Sequence, residues 1–297
     1  MSNMSADFGV LILGFNRPGL LNQTLTALSE NADLSQRVGF FSLDGPRDSL
    51  DVESVKKSRE VFSGFENSFS QVHRFYEDSN IGLRNKVIQG VTHAFNKVDN
   101  LLVLEDDCLI GPSTFGFFQY GFDWLEEQKL GVVSGNYLGK EVSNGAFIAN
   151  RFSSWGWGTN KETWTKFLSH SYSQTPLVDI KSEIKRLTRN DPLPYRYEYR
   201  EITKNIEKIN SWATPFDMFL RDQQIKTLKP TINQIQNIGF GLQATHTARG
   251  SSLSIPAEYL NVGFSALAEE KSSSMIEKRE AWTKFLKLAR EIISSKS

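Results

Sequence analysis

Short apolar runs that each end in a polar cluster recur through the first half of the chain, with a helix-length stretch between one and the next. Val10–Phe15 (VLILGF) closes on Asn16-Arg17-Pro18-Gly19, Val38–Leu43 on Asp44-Gly45-Pro46, and Asn100–Leu104 (NLLVL) on Glu105-Asp106-Asp107. Between them, helical spacing runs over Leu20–Glu30, where Leu21, Leu25 and Leu28 share a face, and over Asp51–Phe62 and Leu83–Phe95. A weaker strand is expected at Val72–Tyr76, a helix at Thr114–Gln128 and a short strand at Gly131–Ser134. Strands alternating with helices of about a dozen residues make βαβ units. Strands that are apolar throughout suit a sheet covered on both faces. The expected fold class is therefore α/β, a mixed but mostly parallel sheet flanked by helices. Ligands of such sheets bind beyond the carboxyl ends of the strands, where this chain carries Asn16, Arg17, Asp44 and the acidic triplet.

Composition narrows the chemistry. The 297 residues, 39% hydrophobic, are enough for one large domain. The 34 Lys and Arg balance 34 Asp and Glu, so nucleic acid is not an expected partner, because phosphate backbones select basic surfaces. The single cysteine, Cys108, excludes an internal disulfide framework and fits a reducing, cytoplasmic compartment. The polar stretch Met1–Asp7 has no basic leader character, and no apolar run approaches bilayer length. Gly-x-Gly-x-x-Gly after the first strand, a phosphate-binding loop with its lysine, and Gly-x-Ser-x-Gly are all lacking, which argues against a dehydrogenase, a P-loop enzyme and a serine hydrolase.

Beyond residue 140 the pattern is less regular. Asp179–Arg189 reads as a charged helix, residues 190–200 as a loop rich in Pro, Tyr and Arg, and Pro215–Lys226 as a helix. Met275–Ile293 reads as an amphipathic helix with Trp282, Phe285, Leu286, Ala289 and Ile293 along one side. Its basic tinge allows at most peripheral contact with a membrane, and packing on the domain is the better expectation.

Three adjacent carboxylates after a buried strand repel one another, and burial without compensation costs heavily. Hard oxygen ligands suit Mn2+ or Mg2+, and such an ion helps a diphosphate depart. A solvated acidic turn is the competing reading. Displacement of such a group by a hydroxyl also needs a base for that hydroxyl. Asp217, at the start of a helix among aromatic neighbours, is the candidate, against a plain helix N-terminal Asp. Trp155 and Trp157, one glycine apart, offer a floor for a sugar ring or, equally, a core aromatic pair.

The stretch LLVLEDDCLIGPSTFGFFQY resembles the GT-A-fold glycosyltransferases related to N-acetylglucosaminyltransferase I, and within that group the bacterial-type members. GVVSGN, RFSSWGWGTN, SWATPFDMFL and NIGFGLQATHT follow in the same order, and VLILGFNRPGLLNQTL and FFSLDGPR precede it, so the resemblance spans residues 8–250. It implies a single GT-A-like domain, with residues 1–135 as the nucleotide-sugar-binding half and 136–297 as the acceptor half. It further implies Asp107 as metal ligand, Asp106 at the ribose or sharing the metal, and Glu105 facing the donor sugar or nucleotide. Asn16 and Arg17 are expected donor contacts from their place at the first strand's end, whereas the resemblance puts Asp44 near the base or ribose and Arg84 near the base or diphosphate. Asp44 also reads as a turn-former before Gly-Pro, and Arg84 as a surface or helix N-terminal residue. His246 is a candidate second metal ligand, or a hydrogen-bonded structural histidine. In the family the base lies in a Trp-Asp-Asp-Trp-like segment, which Phe216-Asp217-Met218 matches in part. The implied donor is a nucleotide-diphosphate sugar, with UDP and N-acetylglucosamine as the family-based choice. The implied acceptor is a glycan or lipid-linked hydroxyl, in the synthesis of a surface polysaccharide or glycoconjugate. A sugar-phosphate nucleotidyltransferase and a non-catalytic nucleotide- or glycan-binding protein are the alternatives. The first should carry a glycine- and lysine-rich loop after the first strand, where FNRPGLLN has one arginine and one glycine.

Overall fold

The computed structural model describes residues 7–140, 145–206, 211–240, 253–257 and 270–294. Four parallel strands open the chain: β1 (Gly9–Gly14), β2 (Val38–Leu43), β3 (Gln71–Tyr76) and β4 (Asn100–Glu105). They are connected by α1 (Pro18–Ser29), α2 (Val52–Gly64) and α3 (Leu83–Ala94). A short strand β5 (Cys108–Ile110) follows the acidic triplet, then α4 (Thr114–Gln128) and β6 (Val132–Ser134). The second half supplies β7 (Ala146–Ala149), β8 (Trp157–Asn160), α5 (Lys161–Ser169), α6 (Lys181–Leu187), α7 (Leu193–Lys204) and α8 (Ala213–Asp222). It ends in β9 (Thr227–Pro230), β10 (Ile235–Asn237) and α9 (Glu270–Ser294).

Eight strands form one sheet in the order β3-β2-β1-β4-β8-β6-β9-β7. Only β8 and β7 run against the rest, so the sheet is mixed and mostly parallel, as expected. Because β8 pairs with both β4 and β6, residues from either side of position 135 share this sheet. The alternating side chains of β1 explain why helices are needed on both faces. Val10 and Ile12 pack with Leu21, Leu25 and Phe62 of α1 and α2, whereas Leu11 and Leu13 pack with Val87 and Val91 of α3. The second face is extended by a fully or nearly fully buried aromatic block of Trp157, Trp164, Phe167, Trp212 and Phe216.

Three expectations for the second half need correction. The stretch expected as a loop over 190–200 is largely helix α7. Pro194 sits in its first turn, where a missing N–H costs nothing, and Tyr195, Tyr199 and Thr203 recur every fourth residue on the buried side. The charged segment after Asp179 is helical only from Lys181 to Leu187, preceded by a 3-10 turn over Leu177–Ile180. Helix α9 faces the domain with Ser273, Ile276, Glu277, Glu280 and Ala281, while Trp282 and Leu286 of the expected inner stripe stand about half exposed. Glu280 decides that orientation. It pairs with buried Lys229 of β9 at 2.6 Å and accepts from the Leu138 backbone N–H at 3.1 Å, and Glu277 accepts from the backbone N–H groups of Asn150 and Arg151.

Candidate functional site

In the strand order 3-2-1-4 the connections leave β1 on one side and return to β4 on the other. The crevice at the carboxyl ends of these two strands is the switch point where α/β sheets take ligands. Register brings the ends together: Leu13 of β1 is opposite Glu105 of β4, and Gly14 is opposite Leu43 of β2. Arg17, three residues past β1, reaches across this crevice. Its Nε and Nη2 donate to Asp106, and its Nη1 lies 3.0 Å from Asp107 Oδ2.

The triplet is fixed from all sides. Thr24 Oγ1 of α1 donates to the Asp106 carbonyl at 2.9 Å. The Ile238 N–H donates to the Asp107 carbonyl at 2.9 Å, and Asn237 Nδ2 to Asp107 Oδ1 at 3.3 Å. The small antiparallel pair of β5 and β10 delivers these last two groups. Gly239 is required next to them, because a Cβ there would stand 2.0 Å from Asp107 Oδ2. Trp212, the residue that leads into α8, favours the charged form of Glu105.

Among the described residues one guanidinium, that of Arg17, faces three carboxylates. Burial, then the charges of Asp107 and Asp106, push Glu105 up to about 8. Burial likewise pushes Asp106 up to about 6, against the pull of Arg17. The excess of negative charge is the physical content of the site. The folded chain holds the Glu105 proton more tightly than the unfolded one, so stability is full in the acid range. It falls as pH rises from the ordinary carboxyl value of 4.5 to about 8, then levels off. The expected loss is roughly 2–4 kcal/mol. Thermal unfolding of the metal-free chain at pH 5.5 and 8 measures it, and Glu105→Gln should flatten the profile. An unchanged slope in that variant would place the excess charge elsewhere.

The donor set is hard oxygen, which suits Mg2+ or Mn2+. Among the described residues no three His, Cys, Asp or Glu side chains converge into a self-sufficient metal site. Asp107, with Asp106 beside it, fits the mode in which one or two carboxylates hold the ion and substrate phosphates complete its shell. His246 lies outside the described residues.

The other candidates divide. Asn16 is at the strand tip, yet its Nδ2 donates to Asp51 Oδ1 at 2.6 Å, within a pair that Asp51 makes with Arg47. Asp44 is also at the tip, with both oxygens taken. It accepts from the N–H groups of Gly45, Ile81 and Gly82 and from Asn80 Nδ2, and so fastens β2 to the loop before α3. Arg84 spends Nη2 on the carbonyls of Ser173 and Thr175 at 2.9 and 3.2 Å, which ties α3 to the segment after α5. Trp157 is fully buried between Phe152, Trp212 and Phe216, so the expected two-tryptophan floor is reduced to Trp155. On β8 its side chain faces inward, and Gly156, with φ of +60°, turns the chain between the two rings.

Trp155 and Asp217 line one cavity of about 200 Å3, together with Arg151, Tyr199 and Thr214. Asp217 is 4% exposed. It accepts from the Phe152 N–H at 3.1 Å, from Arg221 Nε at 3.1 Å and from the Tyr199 hydroxyl. Arg221 in turn pairs with Asp191 at 2.9 Å. Sequence reasoning missed Glu198 and Tyr199, which sit in the stretch read as loop, and Arg151, which follows β7 and pairs with Glu198 at 2.6 Å. The four-residue recurrence of Tyr195 and Tyr199 was the available signal. Trp212 was missed as well, although it stands five residues before Asp217.

No protein-family model matches the chain, and no curated protein matches it significantly. Several solved structures are similar. The mannosyltransferase PcManGT from Pyrobaculum calidifontis, in complex with GDP-Man and Mn2+, is 11% identical over 74% of this chain and 70% of that one, with a TM-score of 0.41. A putative nucleotide-diphospho-sugar transferase from Desulfovibrio desulfuricans is 11% identical over 75% and 79%, at 0.38. S. aureus TarS is 13% identical over 43% of this chain, at 0.34, and the match spans only 21% of TarS. Likeness at this level carries no argument about chemistry, which rests on the residues themselves.

Proposed function

We propose that the chain is a metal-dependent, inverting glycosyltransferase of the GT-A type, moving a sugar from a nucleotide-diphosphate donor, UDP-linked by family resemblance, to a hydroxyl on a glycan or lipid-linked acceptor. The observation that carries this reading is the acidic triplet at the β1–β4 switch point, with Asp106 and Asp107 buried and, among the described residues, a single arginine opposing it. Surface polysaccharide or glycoconjugate synthesis in the cytoplasm is the setting that suits it.

A divalent ion held by Asp107 and Asp106 would neutralise the departing diphosphate. Glu105, neutral or charged near physiological pH, presents its carboxyl to the donor sugar. Asp217 takes the acceptor hydroxyl proton as that oxygen attacks the anomeric carbon and the bond to the diphosphate breaks. A carboxylate has about four acceptor sites. Three on Asp217 are filled by Phe152, Tyr199 and Arg221, which hold its direction and leave one for the incoming hydroxyl. Trp155 borders the acceptor cavity.

Turnover of UDP-N-acetylglucosamine and other nucleotide sugars with and without Mn2+ tests the reading. Release of nucleoside diphosphate supports it, and pyrophosphate release from a nucleoside triphosphate and a sugar phosphate would replace it by nucleotidyl transfer. Asp217→Asn is expected to lower kcat by about 10²–10⁴ while leaving donor affinity within a few-fold. Wild-type kcat in that variant would remove Asp217 from the chemistry.

A further inference from the structure

Eight large apolar side chains stand exposed among the described residues, and three of them gather along one groove: Leu193 and Tyr197 on α7, and Trp282 on α9. Phe285 of α9 meets Tyr197 of α7 edge-to-face at 5.9 Å, which joins the two helices there, and packs edge-to-face on Trp282 of its own helix at 5.9 Å. Between α6, α7 and α9 lies an open groove of about 500 Å3, by volume larger than the cavity beside Asp217. Lys185, Arg189, Arg196 and Arg200 line it, and no acidic side chain does. None of these four cations has an ion pair or a side-chain hydrogen bond among the described residues, whereas the neighbouring Arg186 and Lys204 are paired with Glu183 and Glu201.

The pattern on α7 is regular. Leu193, Arg196, Tyr197 and Arg200 fall at helical spacing along its exposed side, while Pro194, Tyr195, Tyr199 and Thr203 fill the inner one. A helix that only covered a domain would carry charge pairs and polar residues outward. Apolar and aromatic tips set among unpaired cations are instead the composition that settles in the headgroup layer of a membrane. Among the described residues no helix is long and apolar enough to cross a bilayer, so contact would be at the surface.

We propose that the α6–α7–α9 face docks on a bilayer containing anionic phospholipids, with Trp282, Tyr197 and Leu193 at the interface and the four cations against phosphate. This surface is separate from the acidic triplet, and the proposal holds whatever reaction the sheet edge performs.

Sedimentation with vesicles of phosphatidylcholine alone and of phosphatidylcholine mixed with phosphatidylglycerol tests it. The chain is expected to sediment with the mixed vesicles at low salt, not with the neutral ones, and to be released at high salt. The double variant Arg196→Ser/Arg200→Ser should partition roughly 30-fold more weakly, about fivefold per cation. Both arginines are exposed and have no ion pair among the described residues, so unchanged melting is expected. If the variant does not fold, brominated lipid chains decide on the wild-type chain, because Trp282 is the tryptophan with nearly half its surface exposed and should be quenched. No sedimentation with mixed vesicles, equal sedimentation with neutral ones, or binding indifferent to both salt and the arginine variant would overturn the proposal. A face that serves a protein partner gives the first of those results.

Discussion

Asp107→Asn is expected to abolish metal-dependent donor turnover, lowering kcat/KM by roughly 10³ or more, with the fold retained. The size follows from the several kcal/mol that a bound cation supplies to a developing diphosphate charge. The variant keeps an oxygen to accept from Asn237 and keeps the shape against which Gly239 is packed, so its folding contacts survive. It loses half of what Arg17 bridges and the charge that would bind a cation. Donor affinity measured by calorimetry with Mn2+ should fall to the value found without metal. Full turnover would overturn the metal reading, and intact metal-dependent binding without turnover would move the ligand role to Asp106. Wild-type melting is the control that separates either result from unfolding.

The part of the fold that was legible is the part with regular period. Val10–Phe15, Val38–Leu43 and Asn100–Leu104 are long enough, and flanked by strong enough turn signals, for strands to be placed to within a residue or two. Helix α4 matches its expected span at both ends. Strands β5, β7, β8, β9 and β10 have three or four residues each, too few for a period to register, and they are held by partners distant in sequence. At the site, strand ends forecast which residues meet, and Arg17 and the triplet do meet. What strand ends do not forecast is which polar groups are already spent. Asp44 and Arg84 have the residue type of ligand contacts, yet their bonds go to nearby backbone, a fact visible only once the loop before α3 and the segment after α5 are in place. The outward turn of Trp282 was hidden for a related reason. Counting apolar residues on α9 missed that Glu280 and Glu277 are drawn inward by Lys229 and by open backbone N–H groups.

Arg17→Met should show how far one guanidinium holds the site together. Methionine keeps much of the apolar stem and removes the charge, leaving Asp106 and Asp107 buried without their counter-ion. Breaking a buried pair from one side costs about 3–5 kcal/mol, and that loss should be largest near pH 8. It should shrink toward pH 5.5, where Glu105 and Asp106 can take up protons that dissipate the repulsion. The same substitution frees Asp107 Oδ2 from its 3.0 Å contact. Saturating Mn2+ should therefore raise the melting temperature of the variant more than that of the wild type. Ligand excess of about a hundredfold over Kd contributes about 2.7 kcal/mol by mass action, enough to return much of the deficit. Arg17 and the cation compete for one pair of carboxylates, and the difference between the two Mn2+ shifts measures that competition. If Mn2+ shifts neither protein even with nucleoside diphosphate present to complete its shell, Arg17 alone is the positive charge against the diphosphate, and the site works without metal.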